Sequence, residues 1–404
     1  MATTDGKQLY GRVYLISSSS TIDLDVTDSV QSITIAESIF QSCVTCTILF
    51  LDSTEFVNKF PVVGYEGVRV EGIDGRNVNY TIHSIRDFKP LEGTKTGFSL
   101  CFISDQFILD RQLKVSQSYV DTTIDNMVGD ISKTYLGIDI DIVESTKGRY
   151  SLIVPNRSPL DSINWLCGRA LGLNTNSSNY FFYQTFSRGY IFSSLEHMIK
   201  LHPKPIEYRK VMTVNTPETK YDGKTFSKLE VNDRFDTLKG LHDGMYASSL
   251  MTHNLVDRKY EITKFNYSTE FGPNGNHEIL GELSLLSEDD VGFNTMYDQK
   301  KYFIPSSQHS YEKDKYSIGR DRVLPIRSSQ LSQINNNKIS IKIDGDFDRY
   351  SGEIVDIGDV IERGRSDKKI RYSGKHYILG IKHMLTPQEH ITIVQLAKDG
   401  FDRG

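Results

Sequence analysis

The chain has 404 residues, enough for two or three domains and a core that needs no metal or disulfide staple. Hydrophobic residues make up 38% and charged residues 25%, with 30 Gly and 11 Pro, which excludes collagen, coiled-coil, mucin-like and extended disordered classes. Lys and Arg total 47 against 52 Asp and Glu, and the net charge of −5 excludes a general DNA-coating protein.

With 22 Tyr and 20 Phe the composition leans towards strands. Met1-Ala-Thr-Thr-Asp-Gly6 has no basic region leading into an apolar one, so no targeting leader is expected. No apolar run approaches the roughly 18 residues of a membrane span. Four Cys agree with a reducing compartment, so assembly in a cytoplasm is expected.

Short β-branched or aromatic runs predict strands over 8–17, 30–36, 43–51, 66–72, 77–85 and 96–104. Asp74-Gly75, between two of them, is a hairpin signal. Residues 53–60 read as one short helix stopped by Pro61. This first block, 1–112, is expected to be a small β-barrel.

The pattern then changes. Over Ser118–Tyr135, residues Val120, Ile124, Met127, Val128 and Ile131 fall on one helical stripe, and Gly137 suits a C-cap. Ile138–Ile142 alternates as a half-buried strand. Ser158-Pro159 starts a second helix, with Ser as N-cap and Pro first, filled by Leu160, Ile163, Trp165, Leu166 and Leu171. Tyr180–Tyr183 and Gly189–Phe192 form a hairpin. Residues 113–204 therefore read as an α/β insertion, with His202-Pro-Lys-Pro205 as its boundary.

From 205 to 404 the β texture returns. Strands are expected at 226–235 and 258–268, with a short helix at 234–241. Residues 269–320 are the least regular stretch. A helix follows Pro325, over 326–336, and strands follow at 338–343, 355–361, 370–377 and 390–396. The chain is thus mainly β (α+β). The two β-rich blocks have a similar order and could be duplicates.

Motifs for chemistry are all incomplete. Cys43-Val-Thr-Cys46 has metal spacing but no second pair, since Cys101 and Cys167 are isolated. His277-Glu278-Ile-Leu-Gly281 lacks the second His of a zinc protease. Gly223-Lys224-Thr225 lacks the first Gly of a phosphate loop, Glu218 standing there. Asp344-Gly-Asp346-Phe-Asp348 resembles a calcium loop, but Arg349 and Val355 occupy its Gly and Glu positions. Asp139 and Asp141 alternate with Ile, as on the wet face of a strand. Arg363, Arg365, Lys368, Lys369 and Arg371 form one basic cluster. It reads as a solvated hairpin tip with Glu362 and Asp367, or as a contact for an acidic partner or nucleic acid. The aromatic hairpin 180–192 reads as core, with a base-stacking platform as the alternative. No catalytic, cofactor-binding or metal-binding residue is expected, nor any cofactor. The profile is that of a structural or binding protein rather than an enzyme.

Three segments together resemble the baseplate hub proteins of contractile-tailed bacteriophages of the T-even type. They are Ile153–Leu171, then Phe235–Ser249 with Asp257-Arg-Lys-Tyr260, and Gln330–Val360 with Ser373–His383. The related hub module of type VI secretion spikes is the second family they resemble. The resemblance implies a non-enzymatic homotrimer in the virion. Each chain would supply two tube-protein-like β-barrels to a pseudo-sixfold ring joining a hexameric tail tube to a trimeric central spike. Baseplate wedge proteins would lie outside, and DNA would pass through the channel without specific binding. The competing readings are another all-β virion component, such as a receptor-binding or fibre protein, and a polysaccharide-cleaving tail enzyme.

Overall fold

In a computed structural model, residues 10–17, 23–54, 56, 60, 62–90, 95–175, 177–201, 205–210, 224–233, 236–254, 258–267, 299–306, 320–358 and 372–398 are described. Seven strands come first: β1 (Val13–Ile16), β2 (Leu24–Asp25), β3 (Val30–Ser38), β4 (Thr45–Asp52), β5 (Gly67–Ile73), β6 (Arg76–Pro90) and β7 (Thr96–Ile103). Period-two alternation sets their faces. Val68 and Val70 are fully buried while Arg69 pairs with Asp23 at the surface. Asp74 and Gly75 join β5 to β6 with φ of 50° and 73°, as a two-residue primed turn requires. The ladder runs β3-β4-β7-β6-β5-β1-β2 and curls around one core that includes Leu15, Ile33, Ile48, Phe50, Phe98 and Leu100. Of the expected strand 8–17, residues 8 and 9 lie outside the described residues, and among 10–17 the strand is Val13–Ile16. Half of the helix expected at 53–60, residues 55 and 57–59, lies outside the described residues.

A helix, Asp105–Gln112, leads into the middle of the chain. There β8 (Ser118–Thr122) pairs with β10 (Tyr150–Ile153), and β9 (Ile140–Ile142) pairs with the hairpin β11 (Tyr180–Thr185) and β12 (Gly189–Ser194). The helix expected over Ser118–Tyr135 starts only at Ile124; its α-helical part ends at Ile131 and a π-helical turn, Ser132–Leu136, continues it to the cap at Gly137. Val120 is a strand residue, 75% exposed, and not part of the stripe. The β8–β10 ladder, Tyr150 against Thr122 and Leu152 against Tyr119, satisfies that backbone instead. The other stripe residues, Ile124, Met127, Val128 and Ile131, are fully buried, and Gly137 takes a left-handed φ of 63°. The helix Pro159–Cys167 follows expectation: the Ser158 hydroxyl accepts the Asp161 N–H at 3.4 Å. Leu171 lies beyond its end. The aromatic hairpin is core on both faces. Tyr180, Phe182, Tyr190 and Phe192 pack on the two helices, while Phe181, Tyr183 and Ile191 pack towards Tyr377 and Leu379. It is no stacking platform.

After the helix Leu195–Leu201 come β13 (Ile206–Lys210) and β14 (Lys224–Asp233). The helix Thr237–His242 and strands β15 (Ala247–Asn254), β16 (Lys259–Asn266) and β17 (Lys300–Ser306) make a separate three-stranded sheet. The helix Arg320–Asn336 packs on it. That helix begins before the expected 326 and holds Pro325 inside. Then follow β18 (Lys338–Asp344), β19 (Ile354–Ile357), β20 (Gly374–Leu385) and β21 (His390–Ala397). The strand expected at 370–377 is displaced to 374–385.

Strands β14-β18-β21-β20-β19-β13 form a closed barrel, because β13 pairs with both β19 and β14. The first block repeats its order. Counting β1, β3, β4, β5, β6, β7 and β13, β14, β18, β19, β20, β21 in chain order, both ladders run second, third, sixth, fifth, fourth, first. Even the irregularities coincide. The second strand bulges between Val30 and Ser32 in one block and between Phe226 and Lys228 in the other. The fifth bulges between Ile82 and Ser84, and between Ile378 and Gly380. The blocks differ at their first strand: β1 runs antiparallel to β5, whereas β13 runs parallel to β19. The fold is mainly β, and the two β blocks flank the α/β segment.

Candidate functional site at the joint between the β blocks

The two blocks share one continuous sheet. The first half of β20 pairs with β19, from Gly374 opposite Ile357 to Tyr377 opposite Ile354. Its second half pairs with β3 of the other block, from Gly380 opposite Ser38 to Leu385 opposite Ile33. The bulge at Leu379 makes the transfer. Its carbonyl accepts the Ile39 N–H at 2.9 Å and the Ser38 hydroxyl at 3.1 Å. Gly380 follows because a Cβ there would lie 2.9 Å from the Glu37 carbonyl oxygen.

Glu37, on β3 beside this transfer, is 3% exposed. Its carboxylate accepts the Phe186 N–H at 2.5 Å and the Ser351 N–H at 2.6 Å. One side chain thus ties together the first block, the β11–β12 turn and the β18–β19 loop. Burial pushes the Glu37 carboxyl up to about 7, and the two backbone bonds pull it partly back.

An aromatic and imidazole cluster lies alongside. His383 on β20 is fully buried; its Nδ1 stands 3.1 Å from Thr392 Oγ1 and 3.3 Å from His390 Nε2. Phe347 stacks on His390 at 4.2 Å between ring centres and lies 4.8 Å from His383. Burial holds His383 near 3 and His390 near 4, so both are neutral at pH 7 and can share one donor–acceptor bond. Below them, Asp346 takes an ion pair from Lys224 and another from Arg349 at 3.5 Å, and Arg349 bonds Glu353 at 2.5 Å. Burial works against the Asp346 anion, but the Lys224 partner prevails and lowers its pKa.

This accounts for two of the partial motifs. The lysine of the incomplete phosphate loop neutralises the central aspartate of the incomplete calcium loop. Asp141 pairs with Arg188 at 2.7 Å, and Asp139 is exposed. Cys43, Cys46, Cys101 and Cys167 are buried free thiols. Burial pushes Cys43 up to about 11 and Cys167 up to about 12, the opposite of a thiolate ligand or nucleophile. Among the described residues no three His, Cys, Asp or Glu side chains converge as a metal site. The His277–Gly281 stretch, Gly223 and the 363–371 basic cluster lie outside the described residues.

Two functional residues have no sequence signal of their own. Glu37 ends a strand as any wet residue might. Arg327, in a polar helix, donates from Nη1 to the Cys167 carbonyl at 2.9 Å and the Ser178 carbonyl at 3.1 Å, pinning that helix to the α/β segment. The joint holds three parts of the chain in one geometry. Glu37 bonds backbone, and Lys224, Asp346, Arg349 and Glu353 bond one another, which suits rigid coupling.

The sequence matches no protein-family model and no curated protein. Solved structures do match. A tail protein from Neisseria meningitidis superposes with a TM-score of 0.56 at 11% identity, covering 96% of this chain and 96% of its own. The 43 kDa tail protein of prophage MuSo2 from Shewanella oneidensis gives 0.54 at 9% identity, covering 96% and 97%. Over nearly its whole length the chain therefore shares the fold of these two tail proteins.

Proposed function

We propose that the chain is a structural hub component of a phage-type tail. Three copies would form a closed ring of six β blocks, joining a hexameric tube to a trimeric spike. The observation that carries this reading is the repeated strand order. A duplicated subunit presents sixfold repetition on one face and threefold on the other, which a single-block subunit cannot do. Head-to-tail contacts close into rings when the rotation closes. The two tail proteins that share the fold support placing the chain in a tail. Blocks 1–112 and 205–404 would line the ring, and 113–204 would lie outside, towards wedge or spike components. DNA would traverse the ring without specific binding, in keeping with the net charge of −5. The incomplete catalytic motifs support a non-enzymatic role.

The test is the mass of the purified protein by light scattering, followed by electron microscopy of the particles. Three chains and rings with six similar lobes are expected. A monomer or a hexamer overturns the reading. Peptidoglycan or capsule hydrolysis abolished by one carboxylate change would favour the polysaccharide-cleaving alternative.

A further inference from the structure

The repeated order makes the β3–β20 ladder a template. It joins the second strand of block one to the fifth strand of block two. The complementary pair is β6, the fifth strand of block one, and β14, the second strand of block two. Both keep a bare edge. Among the described residues, β6 loses its β5 neighbour after Ile82, and from Ser84 to Pro90 it pairs with β7 alone. Along that edge Ile85 is 39% and Phe88 57% exposed. β14 pairs with β13 only over Lys224–Phe226, so from Lys228 onward its sole ladder partner among the described residues is β18. Bare edges invite another strand.

We propose that the β6 edge of one chain adds to the β14 edge of a second copy of this chain, as an antiparallel ladder equivalent to β20 on β3. The inference rests on the ring reading above and names the contact that would close it.

The register follows from the matched ladders. Ile48 opposite Leu100 corresponds to Ile341 opposite Val394. Through these, Ile85 is equivalent to Ile381, and Ile33 to Leu229. Lys382 lies opposite Ala36; the further bulge of β14 between Val231 and Asp233 brings Asp233 to the position of Ala36, so Arg86 lies opposite Asp233 of the next chain. A second bulge, between Arg86 and Lys89, brings Lys89 rather than Phe88 to the position of Met384. Met384 lies opposite Thr34, so Lys89 lies opposite Glu230. The bulge thus sets a cation against an anion, a favourable cross-strand pair. Among the described residues of the single chain, Glu230 pairs locally, with the exposed Lys228.

The experiment uses the full chain carrying Arg86→Cys and Asp233→Cys. Directly opposed antiparallel residues lie about 4.5–5.5 Å apart at Cα, within disulfide reach. The four native thiols are buried and stay silent. On mild oxidation a covalent closed species, reversed by reductant, is expected. Neither single variant forms it, nor does Arg86→Cys combined with Lys264→Cys. Separately, Lys89→Glu and Glu230→Lys each raise the concentration of half-assembly by about 5-fold, and together return it to within about twofold, as a cross-strand ion pair of up to ~1 kcal/mol allows. A trimer by light scattering without the 86–233 disulfide overturns the ladder and leaves the ring reading standing. A disulfide that closes at another number of chains keeps the ladder and overturns the trimer. A monomer without the disulfide overturns both.

Discussion

The Glu37 carboxylate accepts the Ser351 backbone N–H at 2.6 Å across 314 residues of chain. Replacing Glu37 with Gln leaves one of two backbone donors facing an amide N–H. A loss of about 1–3 kcal/mol is expected, read by chemical denaturation. The pH dependence has a definite sign. The folded carboxyl titrates near 7 and the unfolded one near 4.5, so the native state holds the proton longer. Stability present below about pH 4.5 is therefore lost as pH rises through 7. Burial also pushes Glu353 up to about 7, so the slope is reduced in Glu37→Gln and disappears only when Glu353→Gln is added.

The histidine pair slopes the other way. His383 and His390 titrate near 3 and 4 when folded, against 6.5 when free. The unfolded chain takes up protons first, so stability falls as pH drops below about 6.5 and continues to fall towards 4. Melting temperatures across that range, measured in a background carrying both Glu37→Gln and Glu353→Gln, isolate this arm. His383→Leu should flatten it, and an unchanged slope would refute the assignment.

Gly380→Val tests the strand transfer. The added Cβ meets the Glu37 carbonyl, a backbone atom that moves only if β3 moves. A cost of about 1–3 kcal/mol is expected. Earlier hydrogen exchange at Thr34, Ala36 and Lys382 than in the parent, with β18–β21 still protected, would place the damage at the joint.

Thiol chemistry offers a simple probe of integrity. All four cysteines are buried, and burial raises Cys43, Cys46 and Cys167 above their ordinary values. Native protein should react with a thiol reagent far more slowly than denatured protein, which should give four equivalents at once. One fast thiol in native buffer would contradict the packing around β4.

Local features were legible where local chemistry decides them. Asp74-Gly75 made its primed turn because few other pairs tolerate two positive φ values. Ser158-Pro159 opened its helix because a hydroxyl acceptor and a fixed φ suit that position. The reading failed at Val120. Its apolar side chain continued the period of the following helix, but the partner strand at Tyr150–Ile153 claimed the backbone. Glu37 could not be found from its neighbours, because its donors stand 149 and 314 residues away. The shared sheet was equally hidden. β3 and β20 each read as an ordinary strand, and their pairing exists only once both blocks are built.

That pairing also governs how the molecule is made. When the N-terminal block leaves the ribosome, β3 has no β20, and the hydroxyl of Ser38 waits for a carbonyl 341 residues downstream. At about 5–20 residues per second the wait is about 20–70 s, long against the folding time of a small β domain. For that interval the nascent chain displays an unlatched strand edge to every other nascent chain on the same message. A strand made only near the end of the chain, β20, ends this exposure, so synthesis that stalls before residue 385 leaves a sticky half-molecule rather than a usable one.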